Sequence, residues 1–357
     1  MTALHLRGVV LPGDEERDVW VVDGELTFEP VADAETVVRR GWLIPGLVDL
    51  HAHLALRSPA GDDADPESRA RASAVAQRDA GVLALREPGS PDEGSRALLG
   101  AESLPRTYRA GRFLSTPGRY IDGYARETPS DELPAVAVEE ARSSGWAKLI
   151  GDWEVDGRRE PNQSPETVRA VADAVHAAGG RLAVHITHPD AAEAAIEAGV
   201  DSIEHGVGVG TEHLDRMRER GIALVPTMCT VLGPDWTPGR DAPSSSPRGA
   251  TIAVWVARHA EMVRLAHEAG VRVLAGTDAG VVDHGLVREE VRIMRAAGLP
   301  GAAALAAASW DARAFLGLPG LEEGAPADVV VYDADPREDP ATLATPVAIL
   351  LAGHRIS

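Results

Sequence analysis

Two histidines, His51 and His53, stand one residue apart at the end of the apolar run LIPGLVDLHAHL, residues 43–54. In an extended strand residues i and i+2 face the same side, so Asp49, His51 and His53 share one face and the two imidazoles lie side by side. Neutral imidazole is a frequent transition-metal ligand, and the small Ala52 leaves room for both rings to converge on one ion. The pair is half of a metal site. A His-x-His also occurs on solvated strand edges, so the choice rests on what the rest of the chain supplies.

Lys148 is the only lysine, although lysine and arginine together number 35. A bias toward arginine explains the imbalance on a surface, where both solvate well, and Lys148 could be a surface remnant. Its apolar neighbours in GWAKLIG, residues 145–151, read instead as a buried strand. There the two residue types are not equivalent. A lysine amine can lose its proton and act as nucleophile or take up carbon dioxide, whereas a guanidinium stays charged. Three more residues of metal-binding type follow: His185 in LAVHITH, His205 in SIEHG and Asp278 in LAGTDAG.

These residues need elements to bring them together. Short apolar runs at 46–50, 82–85, 112–115, 147–150, 182–186, 202–204, 223–226 and 272–276 alternate with Ala-rich segments that end at glycine, a helix-stop signal. Eight such β-α units predict a closed (β/α)8 TIM barrel, an α/β fold whose chemistry sits at the carboxyl ends of the strands. All six residues fall at strand ends or, for Lys148, within strand four. A lone strand-end histidine is more often a hydrogen-bonded rim residue, but six at matching positions point to one site.

Before residue 45 the chain reads as short strands with a hairpin signal at Asp23-Gly24, and after Gly317 it returns to strands in GAPADVVVYDADP and PVAILLAGHRIS. The expectation is a small β-sandwich domain built from residues 1–44 and 319–357 beside a barrel over 45–318. Residues 234–249, rich in Pro, Ser, Gly and Asp, read as a long loop after strand seven.

Composition narrows the function. With 357 residues, 44% of them hydrophobic, the chain can bury a large core, and no apolar run is long enough to span a membrane. A formal charge of −20 disfavours nucleic acid and anionic membranes as partners and leaves a small-molecule substrate. The single cysteine, Cys229, excludes an internal disulfide and a Cys-based zinc site, and reads as packed core. The first residues, MTALHLRGVV, show no basic leader or signal-length apolar segment, from which a cytoplasmic protein is expected. Oligomeric state stays open, a homo-oligomer included.

Order, residue types and flanking text resemble the amidohydrolase superfamily of metal-dependent hydrolases. PGLVDLHAHL, IEAGVDSIEHG and GTDAG are similar to its imidazolonepropionase-like and prolidase-like branch, and GAPADVVVYDADP to the strand that returns to its β-sandwich. The resemblance covers essentially the whole chain. It implies that His51, His53 and Asp278 hold one divalent ion and His185 and His205 another, zinc being the expected metal. It further implies that Lys148, carbamylated by carbon dioxide, bridges the two. Two such ions about 4 Å apart would hold a shared water as hydroxide near neutral pH, and Asp278 would carry its proton to the leaving nitrogen. Hydrolysis of an amide-like C–N bond in a small peptide-like or N-acyl amino acid substrate is the expected activity.

Departures from the family text bear on the substrate. Where relatives often read Gly-Gly-His after strand three, this chain has PGRYIDGY, and after strand four it has GDWEVDG. Arg119 could meet a substrate carboxylate or pair with Asp122, Tyr120 stands beside it, and Trp153 could wall a ring-bearing group or pack under a loop. His188 and His284 fit contacts around the ligands or with substrate better than ligation. Two further readings stand beside the first. One is a hydrolase of cyclic amides of imidazolone type or of lactones, or a relative with one metal and an unmodified Lys148. The other is a non-enzymatic scaffold, which would be expected to lack ligands, and none of the six is missing.

Overall fold

The opening alternation becomes a sheet. In the computed structural model, which describes residues 3–142, 145–238 and 250–357, the strand Leu4–Val10 pairs antiparallel with Glu15–Val22, which turns through Asp23 and Gly24 into Glu25–Thr27. Both turn residues hold left-handed backbone, φ 50° and 89°, the conformation a two-residue hairpin demands. Trp42–Pro45 joins parallel to Leu4–Val10 and antiparallel to Val329–Tyr332, followed by Ala348–Leu351 and His354–Arg355. One sheet thus contains both chain ends. Its period of two separates the faces: Leu43, Val329, Val331 and Leu350 pack in a core of their own, while Ile44, Val330, Tyr332 and Ile349 pack onto the central body.

The central strands are parallel. Leu47–Asp49, Val82–Glu87 and Arg106–Arg109 form one ladder. Ala125–Glu127, Phe113–Ser115, Trp146–Ile150, Arg181–Ile186, Ser202–His205 and Ala223–Val225 form a second, in that order, with Ala125–Glu127 at its edge. Apart from Arg106–Arg109 and Ala125–Glu127, nearly every residue of these strands is buried, as parallel strands covered on both faces require. Ser90 N–H donates to the Gly111 carbonyl at 3.0 Å and links the ladders. On the other side Leu274 N–H reaches Leu224 at 2.9 Å and Leu50 N–H reaches Ala275 at 3.0 Å. Leu224 N–H in turn donates to the Arg272 carbonyl at 2.9 Å, so the stretch read as strand eight meets Ala223–Val225 through one isolated bridge and Leu50 through a single bond. A Cβ on Gly276 would lie 2.5 Å from Val225 Cγ1 and 2.8 Å from His51 Cβ, so this segment passes close to its neighbours because it lacks one.

Helices lie between the strands. Pro165–Ala177 buries Val168, Val171, Ala172 and Val175, the i, i+3, i+4, i+7 face, with Ser164 accepting the Thr167 N–H at its start. Pro189–Ala198 and Leu214–Arg220 end on left-handed Gly199 and Gly221. The text after strand four forms a β-hairpin, Asp152–Val155 with Arg158–Pro161, turning on left-handed Asp156 and Gly157. Of the loop read at 234–249, residues 239–249 lie outside the described residues. Cys229 is fully buried, and no helix among the described residues is long and apolar enough to cross a membrane.

Candidate active site

His51 and His53 follow the strand Leu47–Asp49, and backbone bonds tie them to the segment bearing Asp278. Asp278 N–H donates to the His51 carbonyl at 2.7 Å, and His53 N–H to Ala279 at 2.7 Å. Asp49 faces away from the pair. It is fully buried and accepts the Thr277 hydroxyl at 2.6 Å, Thr277 N–H at 3.0 Å and the Gln77 amide at 3.0 Å, locking the two segments together. His205, Thr227 and Asp278 hold left-handed backbone at φ 64°, 46° and 60°, strain of the kind concentrated at functional sites.

The outer bonds of the two imidazoles determine what their inner nitrogens present. His51 Nδ1 lies 2.7 Å from Glu204 Oε2 and His53 Nδ1 lies 2.7 Å from the Gly89 carbonyl, both acceptors, so each Nδ1 carries the hydrogen. In neutral rings each Nε2 is then bare. Yet the two Nε2 atoms face each other at 3.2 Å, and Asp278 Oδ1 lies 3.4 and 3.3 Å from them. Three acceptors converge with no proton to share. Their ligand atoms all lie within 4.8 Å of one another, and His51, His53 and Asp278 could hold one metal ion. Burial, reinforced by the positive charge of Lys148, holds the His51 pKa well below its ordinary value, which keeps the ring in its ligand form.

The other expected residues gather around this group. The His205 ring lies 5.0 Å from that of His51 and 4.5 Å from that of His185, and His205 Nδ1 meets the Thr227 hydroxyl at 2.8 Å. Lys148 is 1% exposed, and its Nζ has no hydrogen-bond partner among the described residues. Burial brings its pKa down to about 8, against the opposing pull of Glu204 and Asp278, so the free amine is accessible at ordinary pH.

Above the histidines opens a cavity of about 930 Å³. One wall is a run of ring contacts, Phe113 to Tyr120 at 5.2 Å, Tyr120 to Trp153 at 4.7 Å and Trp153 to His185 at 5.7 Å. Burial and the nearby Asp278 push the Tyr120 phenol up, so it stays a hydroxyl. Arg119 is elsewhere: its guanidinium lies 3.7 Å from Glu160, its carbonyl accepts Asn162 Nδ2 at 2.8 Å, and it does not line the cavity. His188 caps a helix, accepting the Asp190 N–H at 3.1 Å. His284 donates to the Leu56 carbonyl at 3.0 Å, and burial lowers its pKa to about 4. Neither histidine lines the cavity.

Two groups escaped the sequence reading. Glu204 belongs to SIEHG, where strand alternation would send it away from any site that contains His205. The left-handed turn of the chain at His205 breaks that alternation, and both residues reach His51. Glu204 also accepts Arg86 Nη2 at 2.7 Å and the Ser202 hydroxyl at 2.6 Å. The second group is Arg159 and Glu154 of the hairpin, which both line the cavity. The Asp-Gly pair at 156–157 is the signal that could have found them, the same one that marks the Asp23-Gly24 turn.

Residues 42–353 match a family model described as the amidohydrolase family. An uncharacterized protein of Mycobacterium tuberculosis is 42% identical over 359 residues, covering 98% of this chain and 95% of its own. Among solved structures, a Xaa-Pro dipeptidase with methionine bound in its active site superposes with a TM-score of 0.82 at 22% identity over 100% of both chains. A prolidase complexed with N-methylphosphonate-L-proline does so with 0.79 at 24%, again over 100% of both. At these identities the two structures bear on the fold alone.

Proposed function

The chain belongs to the amidohydrolase family and is a hydrolase acting on carbon–nitrogen bonds, and from that premise we propose that it cleaves an amide bond of a small peptide-like or N-acyl amino acid substrate. In this reading the parallel strands of residues 45–318 close into a (β/α)8 barrel, with residues 1–44 and 319–357 as a β-sandwich domain. The bonds of Leu50 and Leu274 to either side of the last segment support closure. His51, His53 and Asp278 would hold one divalent ion, zinc in the simplest case, and His185 and His205 a second, with Lys148 between them as a carbamate.

The observation that carries the metal reading is the meeting of three acceptors without a proton, which a cation relieves. The readily deprotonated Lys148 amine, without a hydrogen-bond partner among the described residues, supports the bridge, because carbon dioxide reacts only with a neutral amine. Bound divalent ions supply a Lewis acid for the carbonyl and a water of lowered pKa. The chain does the rest. Asp278 takes the proton of the attacking water on its carboxylate and returns it to the leaving nitrogen. Glu204 and the Gly89 carbonyl hold the two imidazoles in one tautomer. Tyr120 and Trp153 wall the acyl or side-chain portion.

Two of the structurally similar proteins are described as a Xaa-Pro dipeptidase and a prolidase, which supports a peptide-like substrate. The net charge of −20 supports a small molecule over nucleic acid, and we place the work in the cytoplasm. One observation favours a second reading: the group of converging ligand atoms found among the described residues has three members, enough for a single ion and hydrolysis of a cyclic amide. Metal content, followed by a screen of dipeptides, N-acyl amino acids and cyclic amides, separates them. About two divalent ions per chain with amine release from the first two classes is expected. One ion and turnover of cyclic amides alone would select the second reading.

A further inference from the structure

The hairpin Asp152–Val155/Arg158–Pro161 carries a guanidinium into the cavity wall. The Arg159 side chain is 8% exposed, and its Nη1 donates to Thr187 Oγ1 at 2.8 Å and to Asp152 Oδ1 at 3.2 Å. Its Nε is buried with no hydrogen-bond partner among the described residues, although a buried N–H ordinarily has one. Asp152, the buried ion-pair partner of Nη1, does not meet this Nε. Its carboxylate already takes the Thr187 N–H at 2.6 Å, the His188 N–H at 3.0 Å and the Thr187 hydroxyl, fastening the hairpin to the end of the strand Arg181–Ile186.

The other guanidinium groups of the cavity are committed. Arg69 donates to Asp92 at 2.7 Å and to the carbonyls of Ala55 and Ala64 at 3.1 and 2.8 Å, and Arg57 pairs with Asp283 at 2.5 Å. Arg159 alone combines a place in the wall with an unused buried donor. We propose that Arg159 determines specificity by binding a carboxylate of the substrate on the His185 side of the cavity. Its guanidinium lies 5.6 Å from the Trp153 ring, which in turn lies 5.7 Å from the His185 ring, so the apolar part of such a substrate runs along the tryptophan. Glu154 stands directly opposite Arg159 in the hairpin register, lines the cavity and makes no ion pair with it among the described residues. A substrate with a second carboxylate here meets that negative neighbour and is disfavoured.

The assignment rests on the reading of the chain as an amidohydrolase of peptide-like substrates, and a binding measurement separates the two. Full-length protein made in zinc-supplemented medium is titrated calorimetrically with N-acetyl-L-leucine and with N-acetyl-L-leucinamide, and hydrolysis of N-acyl amino acids and dipeptides is followed in parallel. The acid is expected to bind more tightly than the amide. Arg159→Gln weakens the acid by about 10- to 100-fold and leaves the amide within about twofold. No binding of the acid by the wild type, or equal losses for both ligands in a variant with an unchanged melting temperature, overturns the assignment. Should Arg159→Gln not fold, Arg159→Lys and Glu154→Gln decide: a smaller preference for the acid in the first and a larger one in the second are expected, and an unchanged preference in both overturns it. Selective binding of the acid without hydrolysis of any amide leaves Arg159 its role and removes the peptide-like substrate.

Discussion

The floor of the cavity and its wall are held by opposite means. Three groups of the floor are fixed by partners distant in sequence: His51 by Glu204, His53 by Gly89, and Asp278 by the His51 carbonyl. Behind Glu204 stands the buried Arg86, so a charged pair with no access to water orients the ring, and removal of either partner would leave an uncompensated charge. The wall at 152–161 is a two-residue hairpin fixed at one end by Asp152 on the Thr187 and His188 amides. A floor of this kind tolerates little change and suits chemistry that needs constant geometry. A wall tied chiefly to Thr187 and His188 can vary its other side chains without disturbing the floor, which suits choice of substrate.

Changes in the floor should therefore abolish function, and the largest effect is expected at Lys148. Lys148→Ala removes the proposed bridge and should lose metal and turnover together, with short carboxylic acids restoring part of both. Lys148→Arg places a permanent charge in the same space and should not be rescued. Metal content and kcat measured with and without added acetate test this. Full activity of Lys148→Ala would remove lysine from the centre.

Asp278→Asn ranks next. It keeps the size of the side chain and loses the base, so kcat should fall by a factor on the order of 10² or more while the fold persists. Near-normal kcat in a metal-loaded variant would show that another group moves the proton. Glu204→Gln acts through His51 and not on the reacting atoms. Metal affinity should drop by about 10- to 100-fold, read by competition with a chelator, and unchanged affinity would mean that the His51 tautomer needs no carboxylate.

These ranks track what could be read in the sequence. The floor was legible because ligand chemistry restricts residue types, and because a strand end is a local feature: His51, His53, His185, His205 and Asp278 each close an apolar run. Glu204 was not, since strand alternation argues against it and only the positive φ of His205 brings it in. The last central segment joins through isolated bridges and not a continuous ladder, so apolar text at 272–276 described its path better than its pairing. The wall was hardest. Residues 152–161 lack an apolar period of two, and nothing in RREP distinguishes Arg159, which faces the cavity, from the exposed Arg158 beside it.

Outside the cavity lining, His284 joins the loop after Asp278 to the one after His53 through Leu56. Burial holds its pKa near 4 in the folded chain, against 6.5 for a free ring. The unfolded chain therefore binds the extra proton first. Stability is full above about pH 6.5 and falls as pH drops toward 4, by up to about 3 kcal/mol for this group. His51, depressed in the same direction, adds to the loss. His284→Gln keeps a donor for the Leu56 carbonyl without a titrating ring, so its melting temperature should fall less between pH 6.5 and 4 than that of the wild type. An identical fall would assign the acid sensitivity to the floor.

The smallest effect is expected at Arg119, and it sharpens the comparison most. Of Arg119 and Arg159 only the second lines the cavity, yet by sequence Arg119 is the better candidate for a substrate carboxylate, next to Tyr120 and where relatives often carry a histidine. In the folded chain its guanidinium is turned to Glu160, on the strand that also bears Arg159, at a distance of 3.7 Å and with a third of the side chain in water. An ion pair so exposed contributes about 0–1 kcal/mol. Its backbone does more, since the carbonyl receives both Ser115 Oγ and Asn162 Nδ2, bonds that any side chain leaves in place. Arg119→Met should consequently change KM by less than about twofold for acid and amide substrates alike, while Arg159→Gln separates the two. A selective rise in KM for acids in Arg119→Met would mean that Arg119 leaves Glu160 when substrate binds, and would move recognition of the carboxylate from the hairpin to the loop that follows Phe113–Ser115.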